Sequence, residues 1–236
     1  MKKFDIENKR FYKKEATKYE KTNELGLWKS EIGILKKYIK PNQSIMEIGT
    51  GTGRVALNLM NILPSLKILA VDYSKDMLDM FPQTKNIDCS LLDITEYKID
   101  LVNKFDVILF MFNGLENIIE ESGVQKALKN INKYLKPKGL FIFSIHNMFS
   151  KPEYETYWKQ KLSKNNSWDQ KTLEIKKYSD ASAFQHFYLD EDIKSKLKET
   201  NFTIIEKINR NKEFKEFDWV LEYSEDCDFF VVQKND

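Results

Sequence analysis

The segment that most restricts what this chain can fold into is Ser44-Ile45-Met46-Glu47-Ile48-Gly49-Thr50-Gly51-Thr52-Gly53-Arg54-Val55. A short apolar run carries an acid near its end, turns through three alternating glycines and passes into a helical pattern. Glycine allows the tight turn and removes the Cβ that would block a close ligand. The first N–H groups of the following helix have no intrahelical partner and face whatever sits at the turn. An α/β protein builds a nucleoside-cofactor site in this way, at the carboxyl end of its first strand. Two other glycine loops do not fit. A dinucleotide fingerprint needs a third glycine where this chain has Arg54, and a phosphate loop needs a Gly-Lys-Ser/Thr that does not follow.

The rest of the chain alternates around that segment. Residues 4–22 read as one or two amphipathic helices, and a second helical pattern over 27–39 stops before Pro41. Strands are expected at 44–48, 66–71, 87–92, 105–112, 140–145, 202–208 and 228–232. Helices are expected at 55–62, after a Ser74 cap, from a Ser122/Gln125 capping box to Leu135, and from Asp190 to Leu197. Pro137-Lys138-Gly139 reads as a turn, and Asn201 as a helix terminator. Such alternation predicts an α/β fold with a doubly wound, mostly parallel seven-stranded sheet. The last two strands show no helix between them and read as a C-terminal antiparallel hairpin. Residues 147–186 show no clear element. The expected organisation is one domain over 1–236, with N-terminal lid helices in 1–40 and a cap insertion at 147–186.

Composition narrows the partners. With 236 residues and a net charge of +2, nothing drives the chain globally towards nucleic acid or membrane. Only Arg10, Arg54 and Arg210 are arginines, so the lysine excess does not read as a phosphate-recognising surface. Cys89 and Cys227 lack metal-ligand spacing; free thiols in a cytoplasmic protein are expected, with a bridge left open. No leader segment and no bilayer-length apolar run is expected, and no metal site. The oligomeric state is not set by these features.

Three acids follow three successive strand ends: Glu47, Asp72 and Asp93. In a doubly wound sheet those ends line one crevice. An acid after the second strand can accept from both ribose hydroxyls, and one after the third can accept an adenine amino hydrogen. The segments Met46 to Arg54, Val71-Asp72-Tyr73-Ser74, Leu91-Leu92-Asp93-Ile94, Phe105 to Ile118 and Leu135 to Leu140 together resemble class I S-adenosylmethionine-dependent methyltransferases of the small-molecule type, whose first motif reads Asp/Glu-x-Gly-x-Gly-x-Gly. The resemblance covers residues 40–146 and 184–233.

That resemblance implies a set of roles. Gly49, Thr50, Gly51 and Gly53 would hold the methionine end of S-adenosyl-L-methionine, with Glu47 on its ammonium group. Asp72 and Tyr73 would flank the ribose, Asp93 and Ile94 the adenine, and Phe112 and Asn113 the sulfonium. Tyr12 and Tyr19 resemble tyrosines that close over cofactor and substrate, with Asn117 on the substrate side. Many relatives carry a histidine in the segment 115–118; this chain has Asn117, so the catalytic candidates are its two histidines, His146 and His186. The expected reaction moves a methyl group to oxygen or nitrogen of a small metabolite and leaves S-adenosyl-L-homocysteine. A non-catalytic cofactor-binding partner subunit and a nicotinamide oxidoreductase are the alternatives.

Overall fold

The computed structural model describes residues 3–178 and 180–236. Its strands are β1 (Ser44–Ile48), β2 (Lys67–Asp72), β3 (Ile87–Leu91), β4 (Phe105–Phe110), β5 (Leu135–His146), β6 (Thr172–Lys177), β7 (Ser182–His186), β8 (Phe202–Asn209) and β9 (Cys227–Lys234). The helices are α1 (Lys3–Thr22), α2 (Lys29–Tyr38), α3 (Arg54–Ile62), α4 (Lys75–Leu78), α5 (Glu121–Tyr134), α6 (Pro152–Lys164), α7 (Asp190–Glu199), α8 (Arg210–Glu213) and α9 (Asp218–Tyr223).

Seven strands form one sheet in the order β3-β2-β1-β4-β5-β9-β8. Neighbours from β3 to β5 are parallel, while β9 runs antiparallel to both β5 and β8. The central strands are apolar on both faces because both are covered. Alternate residues feed opposite cores. Met46, Ile108, Phe141, Phe143, Phe230 and Val232 pack on the α5 and α7 side. Ile45, Val107, Leu109, Ile142, Phe229 and Val231 pack on the α2 and α3 side. Chain winding reverses between β1 and β4, and this switch point opens a crevice beyond their carboxyl ends.

Residues 4–22 lie in a single helix, α1, one of the two arrangements expected. The structure departs from the expectations at four places. The described part of the insertion holds regular elements: α6 is followed by an antiparallel pair, β6 with β7. Two short helices, α8 and α9, separate the last two strands. The Pro137-Lys138-Gly139 turn lies inside β5, where Lys138 has a φ of 60° and the register with β4 shifts. Neither expected serine cap forms. Ser122 lies within α5, and Ser74 precedes α4 but its Oγ makes no hydrogen bond. Asn201 does end α7's turn in the left-handed region, with a φ of 63°. Cys89 and Cys227 are free thiols. Among the described residues no helix is long and apolar enough to cross a membrane, and no cluster of potential metal ligands occurs.

Candidate active site

A cavity of about 630 Å³ opens beyond β1, β2, β4 and β5 and is walled on its far side by α1. That size falls within the ~300–1,000 Å³ of small-ligand sites. The glycine loop forms its floor. Gly49 and Gly51 have φ values of 64° and 58°, and a Cβ on Gly51 would enter open space. Gly53 differs. It caps α3 at φ 106°, lies outside the cavity lining, and a Cβ there would sit 2.6 Å from the Phe81 ring. Its expected ligand contact is therefore replaced by a packing role.

The three strand-end acids line this one cavity. Glu47 is buried and accepts a hydrogen bond from the Thr50 hydroxyl at 2.8 Å. Burial pushes its pKa up to about 8, despite the Thr50 hydroxyl and the nearby Arg54 charge. Asp72 accepts from the Gly51 and Ser74 N–H groups, both at 2.8 Å, so it ties the loop to β2. Burial raises its pKa to about 6, against those backbone donors. Asp93 accepts from the Thr95 N–H and hydroxyl through Oδ1 alone, at 2.9 and 2.8 Å. The carbonyl of the next residue, Ile94, accepts from Asn130 Nδ2 at 2.9 Å. Tyr73 also lines the cavity, and its buried hydroxyl has no partner.

At the end of β4 the chain turns through Phe112 and Asn113, with φ values of 54° and 57°. Consecutive left-handed non-glycine residues are costly, about 1–3 kcal/mol each, and such strain collects at functional sites. Asn113 is buried, and its N–H donates to the Ser144 hydroxyl at 2.9 Å. The Phe112 ring packs against Tyr19, Trp28 and Tyr223. Tyr12 donates from its hydroxyl to Asn117 Oδ1 at 2.8 Å, which joins α1 to the turn after β4. Tyr19 lines the same wall.

The two histidines part company. His146, the last residue of β5, lines the cavity with Nε2 3.1 Å from Asn113 Nδ2. Its Nδ1 lies 2.5 Å from Glu116, which also accepts the His146 N–H at 2.8 Å. Burial works against the charged ring, but the Glu116 carboxylate outweighs it and holds the pKa above the ordinary histidine value. His186 lies outside the cavity lining, fully buried and stacked at 3.7 Å on Trp168. Burial, with Lys171 and Lys196 nearby, pushes its pKa down to about 3. The pairing of β6 with β7 carries it into that stack, away from the crevice.

Sequence reasoning assigned no role to Arg54 or Glu116. Arg54 makes a paired contact with buried Glu31 at 2.6 and 2.7 Å and lies over the Trp28 ring at 4.9 Å. It thus fastens α2 to the glycine loop. Glu116 is fully buried. The readable signal was an acid in the short segment Leu115 to Ile119, beside Asn117 and three apolar residues.

Residues 45–139 match the family described as methyltransferase domain. The demethylmenaquinone methyltransferase of Chlamydia pneumoniae is 29% identical over 135 residues, 56% of this chain and 57% of that protein. A tRNA N(3)-methylcytidine methyltransferase of Schizosaccharomyces pombe is 30% identical over 139 residues, 52% of this chain and 43% of that protein. The chain spans about half the length of the curated relatives it matches. Among solved structures, a SAM-dependent methyltransferase from Methanosarcina mazei superposes with a TM-score of 0.67 at 12% identity, over 86% of this chain and 97% of that one. The architecture is the class I methyltransferase fold. The residues that match the family model, 45–139, run from β1 to the middle of β5.

Proposed function

We propose that this protein is an S-adenosyl-L-methionine-dependent methyltransferase that methylates oxygen or nitrogen of a small metabolite and releases S-adenosyl-L-homocysteine. The observation that carries the reading is the register of Glu47, Asp72 and Asp93 around one cavity floored by Gly49 and Gly51. The residues fit the cofactor. Asp93 keeps Oδ2 free of hydrogen bonds, Tyr73 has an unpartnered hydroxyl, and the loop leaves open space at Gly51. Glu47 would hold the ammonium group, Asp72 the ribose and Asp93 the adenine. When bound, the cofactor would supply a methyl carbon on a sulfonium, to which an acceptor lone pair bonds as the carbon–sulfur bond breaks and a neutral thioether leaves. The protein's part is to orient the acceptor and exclude water.

The small-metabolite reading rests on the roof. Tyr12 and Tyr19 of α1, with Lys176 and Gln185 from the β6–β7 pair, form part of the cavity wall. Helix α1 acts as a lid and the insertion as a cap over a single domain. The near-neutral net charge agrees with a small acceptor rather than a nucleic acid. Of the two histidine candidates, His146 lines the cavity and His186 does not.

Calorimetric titration with S-adenosylhomocysteine and NADH tests the cofactor. Micromolar binding of the adenosyl ligand that is lost in Asp72→Ala supports the reading. Binding of NADH alone overturns it. A screen for methyl transfer to metabolites then separates an enzyme from a cofactor-binding partner subunit.

A further inference from the structure

Asn113, in the cavity lining at the end of β4, carries a buried side-chain oxygen with no partner. Asn113 is 3% exposed, its Nδ2 faces His146 Nε2 at 3.1 Å, and its Oδ1 makes no hydrogen bond. An orphaned buried carbonyl oxygen is uncommon and points to a donor that arrives with a ligand. Resting on the methyltransferase reading above, we propose that Glu116 and His146 are positioning residues that set the Asn113 carboxamide, so that its Oδ1 accepts a hydrogen bond from the methyl-accepting group. The acceptor is then an amine, amide or hydroxyl that presents an N–H or O–H. Carboxylates, thiolates and fully substituted amines offer that oxygen nothing.

For a neutral imidazole the chain of contacts has one consistent arrangement. With Glu116 Oε2 as the acceptor, His146 carries its proton on Nδ1 and donates to it. Nε2 is then an acceptor, and it takes the Asn113 Nδ2 hydrogen. The carboxamide cannot turn over without setting Oδ1 against the Nε2 lone pair. The main chain is held as well, because Ser144 accepts the Asn113 N–H and Glu116 accepts the His146 N–H. Protonation of His146 inverts the arrangement: Nε2 becomes a donor, and the amide must present Oδ1 to it and NH₂ to the ligand. The groups acting on the imidazole are Glu116 from the turn after β4, Glu225 from the segment after α9 and Arg210 from α8. The Phe187 ring packs 5.5 Å away. Glu225 is itself paired with Lys151 at 2.8 Å. Donor recognition therefore belongs to the neutral imidazole and is lost below its titration.

The chain has only two histidines, so ¹⁵N-histidine spectra of the full-length, unliganded protein read the arrangement directly. Above its titration His146 is expected as the Nδ1–H tautomer, and an Nε2–H tautomer overturns the proposal. Asn113→Ala should move the Nε2 resonance of His146 and leave His186 in place; an unmoved Nε2 resonance also overturns it. Glu116→Gln should lower the His146 pKa by about 1–3 units. Because wild type already decides the tautomer, poor folding of that variant does not blunt the test. With S-adenosylhomocysteine present, benzyl alcohol at millimolar concentration should shift the His146 signals while benzyl methyl ether does not. Equal responses, or none from the alcohol, overturn the donor requirement. The tautomer is read without cofactor, so failure of the relay and failure of adenosyl-ligand binding are separate results.

Discussion

Glu47 links stability and ligand binding through one proton. Its folded-state pKa is about 8, against about 4.3 in an unfolded chain. The folded state therefore holds the proton more tightly than the unfolded state. Its contribution to stability is full below the unfolded pKa and is lost as pH rises towards 8. Glu47→Gln cannot ionise, so it should melt higher than wild type at pH 9, on the order of 5 °C, and near wild type at pH 5. Thermal melts at the two values check this; equal melting at pH 9 shows that Glu47 is not held neutral. The proposed ammonium contact carries the opposite demand, because it needs the carboxylate. Affinity of wild type for S-adenosylhomocysteine should rise several-fold per unit between pH 6 and 8. In Glu47→Gln that rise should be absent when the same titration is run by calorimetry.

Within the loop before α3, glycines of identical appearance do different work. Gly53 has a φ of 106°, and an added Cβ would meet the Phe81 ring at 2.6 Å, so Gly53→Ala strains both backbone and packing. It should cost about 2 kcal/mol or more by denaturant unfolding, and Phe81→Leu should recover part of the loss. Gly51→Ala meets no atom within 4 Å and carries only the cost of its left-handed backbone, about 1–2 kcal/mol. Its Cβ enters the cavity, so it should weaken adenosyl-ligand binding tenfold or more while the protein stays folded. Equal unfolding by both variants would deny the loop this division. The spacing of the glycines located the turn but could not separate these roles, because Phe81 reaches Gly53 only through tertiary packing. The same limit governed other elements. The seven strands, and the acids at their ends, follow from apolar runs closed by short polar turns; their order in the sheet does not. Helix α6 escaped because Trp158 is its one buried residue, which leaves no apolar stripe to read. The β6–β7 pair escaped because it packs on α1 rather than on the main core, so its strands lack clean alternation. His146 was legible from its place at a strand end. Glu116, which meets it, stands out as an acid in its turn, but only the tertiary packing brings it to the end of β5.

Across the whole molecule, the roof of the cavity is built apart from the two cores that hold the sheet. Phe11 of α1 packs with Ala181 and Ala183 in a small cluster of its own, joined by Tyr12 and Tyr178. Beyond that cluster and the edge-on ring contacts of Phe4 with Phe184 and Tyr19 with Phe112, the attachment is polar. Asn8 exchanges two hydrogen bonds with the Phe184 backbone, at 2.8 and 3.1 Å, Tyr12 donates to Asn117, and Glu15 contacts Lys176 and Tyr178. Little buried apolar area and a few polar ties define a unit that opens at lower free energy than the sheet. Amides of α1 and of β6–β7 should therefore exchange hydrogen together and faster than those of β1 and β4. S-adenosylhomocysteine should slow both by a similar factor. Asn8 lies outside the cavity lining, and Asn8→Ala leaves the Phe184 N–H and C=O unpaired, at about 1–3 kcal/mol. That variant should speed exchange in α1 and raise the dissociation rate of bound S-adenosylhomocysteine about tenfold, with β1 and β4 unchanged. Hydrogen exchange by mass spectrometry and stopped-flow release measure the two effects. If α1 exchanges as slowly as β4, or release is unaltered in Asn8→Ala, α1 is a fixed wall and ligands must enter by another face.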